Sequence, residues 1–247
     1  MLRNWAEDRP LFVPETKFGN WFLGTEIWDT RVLDIAIKDL EGLIPDRRNS
    51  YPVIVDVGCG RGRSFGKLHD LFAPEHVIGV DIEADMLGLA ARETGGAGCA
   101  VSLIHGTSCN LPLADRSADM LFCHQTFHHL VDQDSAIREF HRVLKPGGLL
   151  LFAESMKAYI YSWIIRLLFR HPMEMQKSAS EYLDLIRSAG FRIAPESVSY
   201  PYLWWSRSDL GIRENWFGIA PPGDREETLL NLVAVKETAG ENPQAGP

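Results

Sequence analysis

Basic charge is scarce in this sequence. Lys and Arg number 25 against 33 Asp and Glu, a formal net charge of −8, which argues against a general nucleic-acid binder. Long apolar runs are missing too. No stretch of about 18 apolar residues occurs, so no transmembrane helix is expected. The first residues carry Arg3, Glu7, Asp8 and Arg9 and do not read as a secretory signal. Cysteine is sparse: Cys59, Cys99, Cys109 and Cys123 are scattered and none sits in a CxxC pair. That spacing argues against a disulfide framework or a zinc site and favours a reducing, cytoplasmic setting. No internal repeat is found. What remains is 45% hydrophobic and 23% charged over 247 residues, enough for one large globular domain with a real core.

The chain opens on an aromatic arm with Trp5, Phe12, Phe18, Trp21 and Phe22. Thr25 suits an N-cap, and Ile27, Trp28, Val32, Ile35, Ala36 and Leu40 follow at helical spacing. After a polar linker over 45–52, strands and helices alternate. Short apolar runs at 53–57, 76–80, 101–104, 118–123 and 149–153 read as strands buried on both faces. Helices are expected over 64–72, 83–93 and 132–143, and the Lys145-Pro146-Gly147-Gly148 turn launches the fifth strand. This alternation predicts an α/β fold: a doubly wound, mostly parallel, seven-stranded sheet with helices on both faces. The last third adds an apolar helix over 158–170, a helix capped by Ser178 and Glu181, and two strands over 191–199 and 229–235.

The strongest signal is the turn after the first strand, where Gly58, Gly60 and Gly62 stand at alternate positions. Glycines there permit positive φ and a close ligand approach, and ligands of open α/β sheets bind at the carboxyl ends of the strands. The second strand ends in Asp81, a carboxylate placed to accept both ribose hydroxyls of a nucleoside. A dinucleotide fingerprint needs glycine at position 63, where this chain has Arg63. A pyrophosphate must also sit against the helix N-terminus, whereas a cofactor without phosphate needs only the close backbone turn.

Four ordered segments resemble class I S-adenosylmethionine-dependent methyltransferases, especially the branch of the ubiquinone and menaquinone C-methyltransferases. They are Val55-Asp-Val-Gly-Cys-Gly-Arg-Gly62, Val77-Ile-Gly-Val-Asp-Ile-Glu-Ala-Asp-Met-Leu87, Gly106-Thr-Ser-Cys-Asn-Leu-Pro-Leu113 with the strand to His124, and Phe140-His-Arg-Val-Leu-Lys-Pro-Gly-Gly148. The resemblance implies S-adenosyl-L-methionine as cofactor and a methyltransferase domain over 51–239. An N-terminal arm and helix over 1–50 would precede it, an apolar helical insertion or lid over 157–177 would interrupt it, and a disordered tail over 240–247 would follow.

The resemblance also implies site roles. Gly58, Cys59 and Gly60 would approach the methionyl part of the cofactor, and Asp56 would brace their turn. Asp81 would bind the ribose and Ile82 pack on the adenine, with Gly106, Thr107 and Ser108 at the adenine edge and His124 near the amino-acid end. Many relatives carry an acid at position 107, and a threonine hydroxyl accepts a hydrogen bond more weakly. Two other readings stay open: a nicotinamide-dependent oxidoreductase, and a protein that binds S-adenosylmethionine without turnover.

Methyl transfer needs alignment and a dry pocket, and a base only where the acceptor must lose a proton. His128 and His129, just past the fourth strand, are the candidate catalytic residues, because imidazole titrates near neutral pH; the alternative is that they orient the loop. No metal centre is expected, since no acid or cysteine lies at ligand spacing beside them in sequence. Tyr159–Phe169 is interrupted only by Ser162 and Arg166. It reads as a lid over a small, apolar or aromatic substrate with Trp163, Ile164 and Leu167 facing the pocket, as a homodimer contact, as a peripheral membrane contact, or as core packing.

Overall fold

The computed structural model describes residues 12–207, 210–220, 223 and 225–237. The expectations for Trp5 and for the tail over 240–247 lie outside these residues.

The five parallel strands arise as the apolar runs require. They are β1 (Val53–Val57), β2 (His76–Asp81), β3 (Ala100–His105), β4 (Ala118–His124) and β5 (Leu144–Ser155), and β8 (Leu229–Lys236) lies antiparallel beside β5. The sheet order is β3-β2-β1-β4-β5-β8, with two short strands on the far edge of β8. Alternation along β4 shows why both faces are covered. Leu121 and Cys123 enter one apolar core with Phe140 and Tyr182, while Met120 and Phe122 enter the other with Leu40, Phe65 and Leu68. Successive strand residues point to opposite faces, so a continuous apolar run demands helices on both sides. These are α3 (Asp34–Gly42), α4 (Phe65–Phe72) and α5 (Ala84–Ala90) on one side, and α6 (Gln133–Val143) and α9 (Ala179–Ser188) on the other. The architecture is the expected doubly wound, Rossmann-like fold, with order reversing between β1 and β4. Their carboxyl ends open the crevice where such sheets bind ligands.

Four elements differ from the sequence reading. The strand expected over 191–199 is split into β6 (Phe191–Arg192) and β7 (Val198–Ser199), both paired with β8. Pro195 opens a 3-10 turn between them, and a proline has no N–H for the ladder. The seventh place in the sheet is therefore filled by an interrupted strand. The fifth strand begins earlier than expected, at Leu144, and its register against β4 jumps from Ala118↔Leu144 to Met120↔Leu149, so the Lys145–Gly148 turn is a bulge within it. The helix after Thr25 carries a π-helical turn at Asp29–Leu33 between α2 (Glu26–Trp28) and α3.

The fourth difference concerns the apolar helix over 158–170, which is two short helices, α7 (Lys157–Ile160) and α8 (Trp163–Leu168). Ser162 breaks them by adopting an extended ψ of 146°. The break lets Ile160 and Ile165 both turn inward, which one straight helix with apolar residues on every side could not achieve. Trp163 and Leu167 consequently point to solvent, at 68% and 72% exposed, so they do not face a pocket. Pro172 then holds the chain extended after α8, since the residue before proline is barred from the helical region.

Candidate active site

The glycine turn is shaped by its neighbours. Gly58 has φ +73°, and a Cβ there would stand 2.2 Å from the Thr126 side chain. The Gly58 and Cys59 amides both donate to the Val80 carbonyl, at 2.8 and 3.1 Å, tying the turn to β2. The Gly60 amide donates to Asp81 Oδ2 at 2.8 Å, and the Glu83 amide donates to Oδ1 at the same distance. Beneath the turn Asp56 accepts the Ser64 hydroxyl at the start of α4. Burial pushes Asp56 up to about 7, against the stabilising Ser64 bond.

A cavity of about 190 Å³ opens over these groups. Asp56, Gly58, Cys59, Gly60, Asp81, Ile82, Gly106, Thr107, Ser108 and His124 all line it, so the fold brings together every residue singled out for the cofactor. Arg63, which stands where a dinucleotide site needs glycine, is turned to Asp29 at 3.4 Å. The Thr107 hydroxyl is engaged by the Cys109 amide at 3.2 Å.

The cavity fits a nucleoside with a polar amino-acid end. His124 Nε2, Asn20 Oδ1 and Arg61 Nε border it and are buried without a hydrogen-bond partner, a costly state unless a ligand completes them. Gly60, at φ +51°, has nothing within 4 Å of where a Cβ would be, an open face for a ligand. Burial first, then neighbouring His128, holds His124 down at about 3, so it meets a ligand as a neutral ring. Asn20 and Arg61 were missed in the sequence; Arg61 had a signal, a cation inside the glycine turn, and Asn20 had none.

A second cavity of about 80 Å³ shares Glu15, Leu23, Trp28, Gln125 and His129 with the first. Its other walls include Phe22, Tyr159, Ile160, Ile165, Phe169 and Trp205. The roof comes from two segments far apart in sequence. The Thr16 hydroxyl donates to the Leu168 carbonyl at 2.6 Å, and Phe18 and Phe22 of α1 (Lys17–Phe22) pack edge-on against Phe169.

His128 and His129 stand at this second cavity, and His129 borders both. Fully buried Glu154, at the end of β5, organises their loop: it accepts the Thr126 and Phe127 amides at 2.8 and 2.7 Å and meets His128 Nδ1 at 2.5 Å. His129 Nδ1 lies 3.3 Å from the Val13 carbonyl, and its Nε2 lies 3.5 Å from Glu15 Oε1. Burial holds His129 well below its ordinary value and pushes Glu15 up to about 7. The fold adds His171 to the pair, with ring centroids 5.1 Å from His128 and 4.8 Å from His129. No local pattern pointed to Glu15 or His171; Glu154 was visible as an acid ending a buried strand.

Comparison with known proteins agrees with this geometry. Residues 55–152 match the family described as "Methyltransferase domain". The malonyl-[acyl-carrier protein] O-methyltransferase of Marinomonas sp. is 25% identical over 188 residues, covering 72% of this chain and 66% of the relative. The corresponding enzyme 1 of Coxiella burnetii is 35% identical over 119 residues, 48% of this chain and 39% of the relative. The chain thus spans less than two thirds of either relative's length. A crystal structure of an Aquifex aeolicus S-adenosylmethionine-dependent methyltransferase shares the fold, with TM-score 0.61 at 18% identity over 88% of this chain and 97% of that one. Residues 55–152 thus match a methyltransferase-domain family, on a fold shared with solved S-adenosylmethionine-dependent methyltransferases.

Proposed function

We propose that this protein methylates a small apolar or aromatic molecule held in the second cavity. The observation that carries the reading is the junction of the two cavities: the glycine-turn compartment shares walls with a compartment ringed by Phe22, Trp28, Tyr159, Phe169 and Trp205. The likeness of the motifs to the quinone C-methyltransferases also favours an aromatic acceptor.

In this reading Asp81 holds the ribose, and Ile82, Thr107 and Ser108 border the adenine. Gly58, Gly60 and His124 receive the methionyl end, with Asp56 and Cys59 behind the turn. S-adenosylmethionine supplies a methyl carbon on a sulfonium, whose carbon–sulfur electron pair stays on sulfur as the acceptor's lone pair makes the new bond. The aromatic roof excludes water and aligns the acceptor. His128 and His129 meet the acceptor's reacting atom at the junction. The arm over 12–16 and the insertion over 157–177 act together as the lid, because Thr16 and Phe169 join them. Exposed Trp163 and Leu167 leave the lid's outer face available for a membrane surface or a second copy.

The test is release of S-adenosylhomocysteine from S-adenosylmethionine over a panel of phenols, quinols and aliphatic acids. Phe169→Ala should raise the KM of an accepted substrate by about tenfold with S-adenosylhomocysteine affinity unchanged, since Phe169 lines the second cavity and not the first. Tight S-adenosylhomocysteine binding with no turnover on any acceptor would support the non-catalytic reading instead.

A further inference from the structure

We propose that His128, His129 and His171 bind a first-row divalent transition-metal ion at the junction of the two cavities. One ligand nitrogen from each imidazole lies within 4.8 Å of the other two. Nitrogens on a tetrahedral ion at about 2.0–2.1 Å stand roughly 3.4 Å apart, so the widest pair closes by roughly 1.5 Å through side-chain rotation. The three side chains come from the loop after β4 and from the segment after α8, and Pro172 fixes the backbone beside His171.

The surroundings are those of a ligand set. Ligating histidines are held by a carboxylate or a backbone carbonyl on their second nitrogen, which aims the first at the ion. His128 Nδ1 has the Glu154 carboxylate at 2.5 Å, and His129 Nδ1 faces the Val13 carbonyl at 3.3 Å. Both rings thus keep Nε2 for a ligand. Glu15 Oε1 lies 3.5 Å from His129 Nε2, beside the three imidazoles but outside their converging set. Three imidazoles suit Zn²⁺, Fe²⁺, Co²⁺ or Ni²⁺ rather than Mg²⁺ or Ca²⁺, which prefer all-oxygen sites.

Such an ion would touch what enters the second cavity, whose walls include all three histidines. An acceptor oxygen or nitrogen bound to it would have a lowered proton affinity, so the lone pair becomes available at neutral pH without a free base. This role rests on the methyl-transfer reading; binding of the ion does not.

The experiment uses tag-free full-length protein, stripped with chelator and titrated with Zn²⁺ or Co²⁺ alone. The expected result is one ion per chain by calorimetry and the intense visible absorption of four- or five-coordinate Co²⁺. His171→Asn should weaken binding at least about tenfold while S-adenosylhomocysteine affinity stays intact, which also reports that the variant is folded. Proton NMR of the Co²⁺ protein needs no variant and should show hyperfine-shifted imidazole N–H signals. No ion beyond weak surface binding, a six-coordinate aqua-like Co²⁺ spectrum, or affinity unchanged in folded His171→Asn would overturn the site. Metal bound at the three histidines without methyl transfer would sink the proposed function and leave the metal site standing.

Discussion

The two cavities share walls and are built on opposite principles. The proposed cofactor side is made at strand ends: backbone amides of the glycine turn, Asp81 at the end of β2 and His124 at the end of β4. Each is held by the parallel sheet, and the turn is locked by hydrogen bonds to Val80 and Asp81. The proposed acceptor side is made of side chains from an arm, a loop, a broken insertion and Trp205, joined by ring contacts and a few hydrogen bonds. A site on strand ends is precise because the sheet's hydrogen bonds position it. A site on connecting segments varies freely, which suits the part that must recognise the acceptor.

Substitutions on the two sides should therefore differ in kind. The largest effect is expected at Gly58→Ala. A left-handed alanine costs about 1–2 kcal/mol, and the collision with Thr126 adds a packing cost of about 1–3 kcal/mol. Chemical denaturation should show that combined loss, and a loss under about 1 kcal/mol would show that the turn is not rigid.

Asp56 comes next, through pH. Its folded value, near 7, lies above its ordinary 3.8, so the native state binds the extra proton between about pH 4 and 7. Its contribution is present at low pH and lost as pH rises through 7, by up to a few kcal/mol. Without cofactor, the melting temperature should fall from pH 5 to 8 more steeply in the parent protein than in Asp56→Asn. Parallel profiles would contradict the burial argument.

Asp81→Ala should weaken S-adenosylhomocysteine binding on the order of 1–3 kcal/mol, roughly fivefold to 150-fold, from unmade buried hydrogen bonds. Calorimetry measures it, and unaltered affinity would remove Asp81 from the site.

The smallest effect is expected at Trp163→Ala, on the exposed outer face of the insertion. Stability should move within about 0.5 kcal/mol, and acceptor KM by less than twofold. A several-fold KM change would place the residue on the cavity and blur the contrast between inner and outer faces. Loss of vesicle binding or of a dimer in light scattering would instead give that outer face its role.

The fold was legible because its signals are local and periodic. Apolar runs such as Val53–Val57 and Ala118–Cys123 require burial on both faces, and the glycine turn with Asp81 recurs at strand ends that the alternation itself locates. Where a local rule was read too simply, it misled: the apolar residues over 158–170 looked like one helix, yet a bend at Ser162 buries more of them. Tertiary structure alone decided the second cavity, the proposed acceptor side. Glu15, His129 and His171 meet because the arm and the insertion fold over the same crevice. No spacing in the chain encodes that meeting, since contacts between distant segments are set by packing against the sheet rather than by helix or strand period.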